Sequence, residues 1–394
     1  MPQFFEMIDP VQHYSWGSRS VLAQMQGRPS PSEQPEAELW IGAHRSAPSQ
    51  LVLQAGPQPL NELLLEKPER FVRDGDQVVA DDGSLPFLLK ILAIEAPLSI
   101  QVHPSIAQAR EGFEREEAAG IAIDAAHRSY KDRSDKPETV VALSRLQILT
   151  GMRDRAELGL LAEALDQQWL REVLEHPEPV LRTVLSLPED RAQAALADLE
   201  EAVRRLPADD ELGSVLNYVA RSHPGDRGLL VALCMNHFVL EPGESMFTPA
   251  GQVHAYLQGT AVEIMACSDN VLRAGLTPKH VDVDELLRVV TDDQDPGVPQ
   301  EAVTGPDGLR RISLWEDRLS LVSGEARPGR ELELELELDP STCTVLCVDG
   351  SVTLGSPGAE PVEVGAGHSA WVRADGEPVV VSGQGTFWAV ELRA

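Results

Sequence analysis

Four residues in three separate stretches of the chain have the types and spacing to hold a metal ion: Gln101, His103, Glu138 and His254. The first two sit in Pro97-Leu-Ser-Ile-Gln-Val-His103-Pro. If this stretch is a strand, Gln101 and His103 share one face and Val102 points the other way. Glu138 closes Tyr130-Lys-Asp-Arg-Ser-Asp-Lys136-Pro137-Glu138, where Pro137 fixes the backbone and a Pro turn can present the carboxylate inward. His254 closes Gly243-Glu-Ser-Met-Phe-Thr-Pro249-Ala-Gly251-Gln-Val-His254. Pro249 and Gly251 shape a tight turn there, and His254 begins the returning strand. If the Gln101 amide binds through oxygen, the four residues offer two nitrogen and two oxygen donors. One zinc ion per chain suits such a set, with room left for substrate. Manganese, iron and cobalt are the alternative divalent metals. A hard ion would ask for more oxygens, and a thiolate site for cysteine.

These residues must be brought together by the elements around them. Residues 1–152 read as short strands and turns, such as Leu85–Leu92 and Pro97–Val102, broken by Gly and Pro. Residues 153–222 change character. Leu158, Leu161, Leu165 and Trp169 follow helical spacing, as do Leu196, Leu199, Val203 and Leu206. Pro177, Pro179 and Pro207 punctuate this helical insertion. Strand character returns at Leu229–Leu240. A short helix is expected at Val283–Val290 with Asp282 as its cap. Residues 293–309 read as a linker rich in Asp, Pro and Gly. From about 310 the chain is all strand and turn, and Glu331–Leu338 alternates Glu and Leu as a half-buried strand does. The fold class is mainly β with a helical insertion, and the many short strands imply sandwiches or barrels. The expected division is 1–152 with 223–304 as the metal-bearing domain, 153–222 as the insertion, and 305–394 as a C-terminal domain.

The chain has 394 residues, 42% of them hydrophobic, enough to bury cores without disulfides. Cys234, Cys267, Cys343 and Cys347 lie in apolar, strand-like contexts without CxxC spacing and read as buried thiols. No secretory leader and no membrane span is recognisable, so the cytoplasm is expected. A net charge of −30 argues against nucleic acid and anionic membrane as partners, and its self-repulsion favours a monomer. Of 33 basic residues only five are lysines: Lys67, Lys90, Lys131, Lys136 and Lys279. Four of these fall in the stretches singled out here, which points to a basic site and an anionic substrate.

The Gly243–His254 stretch resembles the second motif of the cupin superfamily, whose terminal His is a metal ligand. With Glu263-Ile-Met-Ala-Cys-Ser-Asp269-Asn270-Val-Leu-Arg273-Ala-Gly275-Leu-Thr-Pro278-Lys279, the three stretches resemble type I phosphomannose isomerases. Tyr14-Ser-Trp16-Gly17-Ser18, Ala37-Glu38-Leu39-Trp40-Ile-Gly42-Ala-His44, Pro86-Phe87-Leu88-Leu89-Lys90 and Gly112-Phe113-Glu114 add to the resemblance, which spans roughly residues 10–290. It implies a bicupin, two β-barrel or jelly-roll domains with a small helical domain. It also implies zinc on Gln101, His103, Glu138 and His254, and interconversion of mannose 6-phosphate with fructose 6-phosphate. Arg273 falls on the family's catalytic arginine. Lys90, Ser99, Lys136, Glu263 and Lys279 fall on its sugar-phosphate pocket, with Trp16 and Asp269 as further substrate-binding positions. Two positions depart from the family pattern: Asp135 stands where His is usual, and Ser105 where an acid is common. The C-terminal stretch Gly365-Ala-Gly367-His368-Ser-Ala-Trp371 resembles the same motif. There the expected Pro, Gly and His become Arg373, Asp375 and Pro378, so this second domain lacks a metal ligand.

Aldose–ketose isomerisation moves a proton between C1 and C2 through an enediolate, whose charge a metal or fixed cation must stabilise. Arg273 is expected to neutralise that charge or to assist ring opening. Lys90, Lys279 and Ser99 are expected to hold the phosphate, and Glu263 or Lys136 to act as base. Two other readings are a metal-dependent bicupin oxygenase and a sugar-binding bicupin without turnover. Gln101 in place of a third His, together with the lysines, speaks against the oxygenase. The presence of Arg273 and every metal ligand speaks against the binding protein. His44, His127, His237 and His280 have no ligand spacing and read as ordinary.

Overall fold

Alternation along two strands decides how the molecule is layered. In Leu88–Ile94 and His254–Met265, residues Leu89, Ile91, Val262 and Ile264 point one way, into a core shared with Leu321, Leu346, Trp371 and Trp388. Lys90 and Glu263, which pair directly across the two strands, point the other way. One face of the sheet is thus buried against a second sheet, and its opposite face is left to carry chemistry.

The computed structural model describes residues 3–72, 79–207, 209–291, 294–329, 332–334, 340–373 and 377–393. Among these residues two sheets of 11 strands form, and their pairings run as open paths rather than as closed rings. The mainly β expectation is met, while barrel closure is not seen. The first sheet joins the C-terminal strands Leu319–Ala326, Pro340–Gly355, His368–Arg373 and Val379–Arg393 to Gln3–Ile8, Gln50–Leu53 and Gly56–Pro59 from the start of the chain. Gln3 to Glu6 pair with Ala370 to Arg373. Gln3–Ile8, Gln50–Leu53 and Gly56–Pro59 thus complete the C-terminal sheet, while Val11–Gln12 and Glu38–Ile41 belong to the second. The Glu331–Leu338 strand is described only at Leu332–Leu334, and Asp375 lies outside the described residues.

The second sheet carries Gln101, Glu138 and His254, and His103 directly follows one of its strands. Behind it, helices at Arg155–Ala164, Gln168–Glu175, Val180–Leu185, Glu189–Arg205 and Glu211–Ser222 occupy the segment read as a helical insertion. Leu158, Trp169, Leu196, Leu199 and Val203 share a core with Ile100, Val102, Ala255 and Leu272, the outward residues of the strands bearing the site. Leu229–Leu240 is only half strand. Gly228–Cys234 is a helix buried on all sides, and the strand runs from Met235 to Leu240. A helix buried all round is apolar at every position, so no period marks it off from a core strand. The helix Ile106–Ala118 is also absent from the sequence reading. It buries only Ala109, Gly112 and Glu116, leaving no apolar stripe to read. Its start is signalled by Ser105 and Gln108, which form a capping box. Val283–Val289 is helical, and Asp282 accepts a hydrogen bond from the Glu285 amide as its cap.

The long strand His254–Met265 unites the two halves of the site by changing partners midway. His254 to Gln258 pair with Gln147 to Thr150, and Gly259 to Met265 with Leu88 to Ile94. His254 and Glu263 lie an odd number of positions apart, so an unbroken strand would set them on opposite faces. A β-bulge between Tyr256 and Gln258 inserts one residue and turns both inward. Gly259 follows at φ 133°, and a Cβ there would come 2.7 Å from the Arg145 carbonyl oxygen. Gly259→Val is expected to cost about 2–3 kcal/mol through this strain and clash. Its urea unfolding midpoint should fall accordingly; an unchanged midpoint would show that the bend tolerates a side chain.

Candidate metal centre

Strand register builds one side of the centre. Thr150, His254, Gln101 and Arg273 lie directly opposite one another on four adjacent antiparallel strands, so their side chains share a face. Register builds the other side from Glu263, further along the strand of His254, with Lys90 and Trp40 on two more strands. Glu138 opens the strand Glu138–Ala142, two residues from Val140, the partner of Glu263, and so points the same way. His103 follows the strand Ile100–Val102, and its carbonyl accepts the Gly251 amide at 2.8 Å. That bond ties the turn before His254 to the first histidine. Gly251 sits at φ 82°, and a Cβ there would meet Thr291 Cγ2 at 2.5 Å.

His103, Glu138 and His254 bring one ligand atom each within 4.8 Å of the others, all three buried. His103 Nδ1 donates to the Asn270 carbonyl at 2.7 Å, and His254 Nδ1 to the Gln252 carbonyl at 3.2 Å. A carbonyl only accepts, so both Nδ1 atoms carry the proton and both Nε2 atoms present lone pairs. These face the Glu138 carboxylate, at 3.3 Å from His103 and 3.2 Å from His254. His103 Nε2 is buried without a hydrogen-bond partner among the described residues. Burial, helped by the Lys136 charge, pushes His103 down to about 4, so no proton fills the gap at neutral pH. Two imidazole lone pairs and a carboxylate facing inward fit a transition metal. Gln101 borders the same chamber beside His254.

The charges around this cluster are arranged in order. Lys136 Nζ binds Glu138 at 2.7 Å. Burial opposes the Glu138 charge, yet Lys136 and the two histidines outweigh it and hold the carboxyl well below its usual range. Lys90 Nζ lies 3.1 Å from Glu263 and 3.4 Å from Glu38, and 5.4 Å above the Trp40 ring. Burial disfavours its charge, but Glu263 and Glu38 overcome that and raise its pKa. Burial raises Glu263 in spite of Lys90. Lys90, expected on the phosphate, is held here between two carboxylates.

A chamber of about 50 Å³ lies over Glu138, His254, Tyr256 and Glu263. A cleft of about 490 Å³ borders it and shares Glu38, Lys90, Ser99, Gln101 and Lys136 with it. Its outer wall carries Tyr14, Trp16, Asp269, Arg273 and Lys279. Burial lowers the pKa of both Arg273 and Lys279, and neither forms an ion pair with a described residue. Lys279 Nζ sits 5.9 Å from the Tyr14 ring centre, and Tyr14 stacks on Trp16. Asp269 is engaged by His44 Nε2 at 3.2 Å and Arg45 at 3.0 Å, which anchor it to the wall. The metal, catalytic and substrate positions singled out in the sequence therefore all gather at one place. Of the two departures from the family pattern, Ser105 caps a helix, and Asp135 lines neither cavity.

Glu38, His44 and Tyr256 were missed. His44, read as ordinary, is buried in the cleft wall. The Tyr256 hydroxyl is buried without a hydrogen-bond partner among the described residues, and burial with Glu263 raises its pKa well above the ordinary value. The signal for Tyr256 and Glu38 was alternation, since each lies two residues along a strand from His254 or Trp40.

Fold and site together define a two-sheet β protein with a buried histidine–carboxylate metal centre opening into a cation-bearing cleft. The family model "Phosphomannose isomerase type I, catalytic domain" matches residues 4–155. The mannose-6-phosphate isomerase of Escherichia coli K12 is 35% identical over 96% of this chain and 97% of its own. The human mannose-6-phosphate isomerase is 27% identical over 95% and 94%. The crystal structure of mannose 6-phosphate isomerase from Salmonella typhimurium bound to its substrate fructose 6-phosphate and zinc superposes with a TM-score of 0.89. It is 32% identical and covers 100% of both chains. The chain belongs to the mannose-6-phosphate isomerase family, type I.

Acid should expose the state of His103. The unfolded chain takes a proton near pH 6.5 and the folded chain only near 4, so metal-free protein loses stability as pH falls through that window. The loss amounts to roughly 3 kcal/mol. Thermal melts of metal-free protein between pH 7 and 4 measure it, and His103→Gln should flatten the slope. An unaltered slope in that variant would mean that His103 is not buried as a neutral ring.

Proposed function

We propose that this chain is a zinc-dependent aldose–ketose isomerase that interconverts mannose 6-phosphate and fructose 6-phosphate. The observation that carries the reading is the buried His103–Glu138–His254 cluster beside a cleft whose outer cations, Arg273 and Lys279, have no described ion-pair partner. A small anion with a polar body matches that layout, and a cleft of about 490 Å³ lies in the ordinary range for small-molecule sites. The Salmonella typhimurium relative bound to fructose 6-phosphate and zinc supports both the substrate class and the metal.

His103, Glu138, His254 and Gln101 would hold the zinc, which supplies a positive charge able to orient the sugar and polarise one of its oxygens. Lys136 keeps Glu138 ionised by its contact at 2.7 Å. Lys279, with Ser99, binds the phosphate and fixes the sugar from a point remote from the reacting carbons. Arg273, one strand from Gln101, neutralises the negative charge that develops on oxygen as the enediolate forms. Glu263 moves the proton between C1 and C2. Its burial raises its pKa above the ordinary carboxyl value, against the opposing charge of Lys90. Lys136, the other candidate base, is committed to Glu138. The same reading has the chain working as a cytoplasmic monomer. Among the described residues no helix is long and apolar enough to cross a membrane. The net charge of −30 sets copies against one another and against polyanions.

Activity in a coupled assay for mannose 6-phosphate should vanish after chelator treatment and return with zinc. Folded protein that is inactive with every divalent metal would overturn the assignment. Lys279→Ala should raise KM for the sugar phosphate by roughly 10-fold or more while leaving kcat near that of the wild type. Arg273→Ala should instead lower kcat by about 100-fold. Equal losses in KM and kcat for both variants would show that the two cations do not divide the work in this way.

A further inference from the structure

Asn270 is fully buried beside the metal centre, and none of the roles above uses it. Among the described residues its side chain hydrogen-bonds to groups of the loop 131–134, which leads into Lys136 and Glu138. Oδ1 accepts from the Lys131 amide at 2.7 Å and the Asp132 amide at 3.2 Å. Nδ2 faces the Ser134 carbonyl at 2.8 Å, and the Asp132 carbonyl and Asp132 Oδ1 at 3.0 Å each. Donors surround one end of the amide and acceptors the other, a pattern that a carboxylate or an apolar side chain cannot satisfy. Its own backbone carbonyl accepts the Nδ1 proton of His103 at 2.7 Å.

One residue therefore joins the loop that delivers Glu138 to the histidine that faces Glu138. The His103 bond sets the tautomer and the rotation of the ring, so it decides whether Nε2 is turned towards the cluster. The carbonyl that makes this bond stays in place because the side chain of the same residue is clamped from both ends. We propose that Asn270 is a positioning residue for the metal centre, holding His103 and the Glu138 loop in the one arrangement that binds the ion. The inference rests on the metal-dependent reading of the site.

The test is zinc affinity, measured by competition with a chromophoric chelator on wild-type protein, Asn270→Ala and Asn270→Asp, with melting temperatures of the metal-free forms. The alanine variant should bind zinc about 10- to 100-fold more weakly. The aspartate variant, which keeps the shape and the acceptor but loses both donor hydrogens, should also weaken binding. Where the alanine variant does not fold, the near-isosteric aspartate carries the test. A lower melting temperature with unchanged zinc affinity would make Asn270 a packing residue only and overturn the inference. Wild-type protein that binds no zinc would instead overturn the functional reading on which it stands.

Discussion

Two imidazole lone pairs lie 3.3 and 3.2 Å from one carboxylate, and the three ligand atoms gather within 4.8 Å of one another in a buried space. With His103 neutral, this arrangement is repulsive unless a cation lies among the three groups. The rest of the site can be understood as what it takes to hold that arrangement. Lys136 offsets the charge of Glu138, the carbonyls of Asn270 and Gln252 fix both rings, and the Gly251 amide ties one histidine to the turn that presents the other. A buried charge left without partners would cost several kcal/mol, so each of these contacts is a condition for the cluster to exist.

Holding the cluster demands two rigid backings. The strands with Gln101, His254 and Arg273 lean on the helical segment through Ile100, Val102 and Leu272. The strands with Lys90 and Glu263 lean on the C-terminal sheet through Leu89, Ile91 and Val262. The bulge before Gly259 turns one continuous strand from the first backing to the second. Among the described residues the helices and the C-terminal sheet contribute no member of the His103–Glu138–His254 cluster, yet each fixes one half of the site.

Charge is sorted as well. The chain carries −30 overall, while three of its five lysines, Lys90, Lys136 and Lys279, line the cleft. Inside, Lys90 and Lys136 are matched by Glu263, Glu38 and Glu138; outside, Arg273 and Lys279 stand uncompensated among the described residues. The inner pairs shape acid–base properties, and the outer cations remain free to meet an anion.

The sequence by itself determined which stretches bring His103, Glu138 and His254 together, the mainly β class, the position of the helical segment and the cap at Asp282. These depend on local spacing, turn chemistry and periodicity, which a linear chain displays. Helices at Ile106–Ala118 and Gly228–Cys234 escaped because one is too polar and the other too uniformly apolar to show a period. Only the tertiary structure decided that Lys90 answers to Glu263 and Glu38, that Asp269 is anchored by His44 and Arg45, and that the strand Gln3–Ile8 belongs to the C-terminal sheet. It also placed Asn270 between His103 and the Glu138 loop. Each of these joins residues far apart in the chain, through register and burial set by packing. No local pattern encodes which distant partner a buried charge will find.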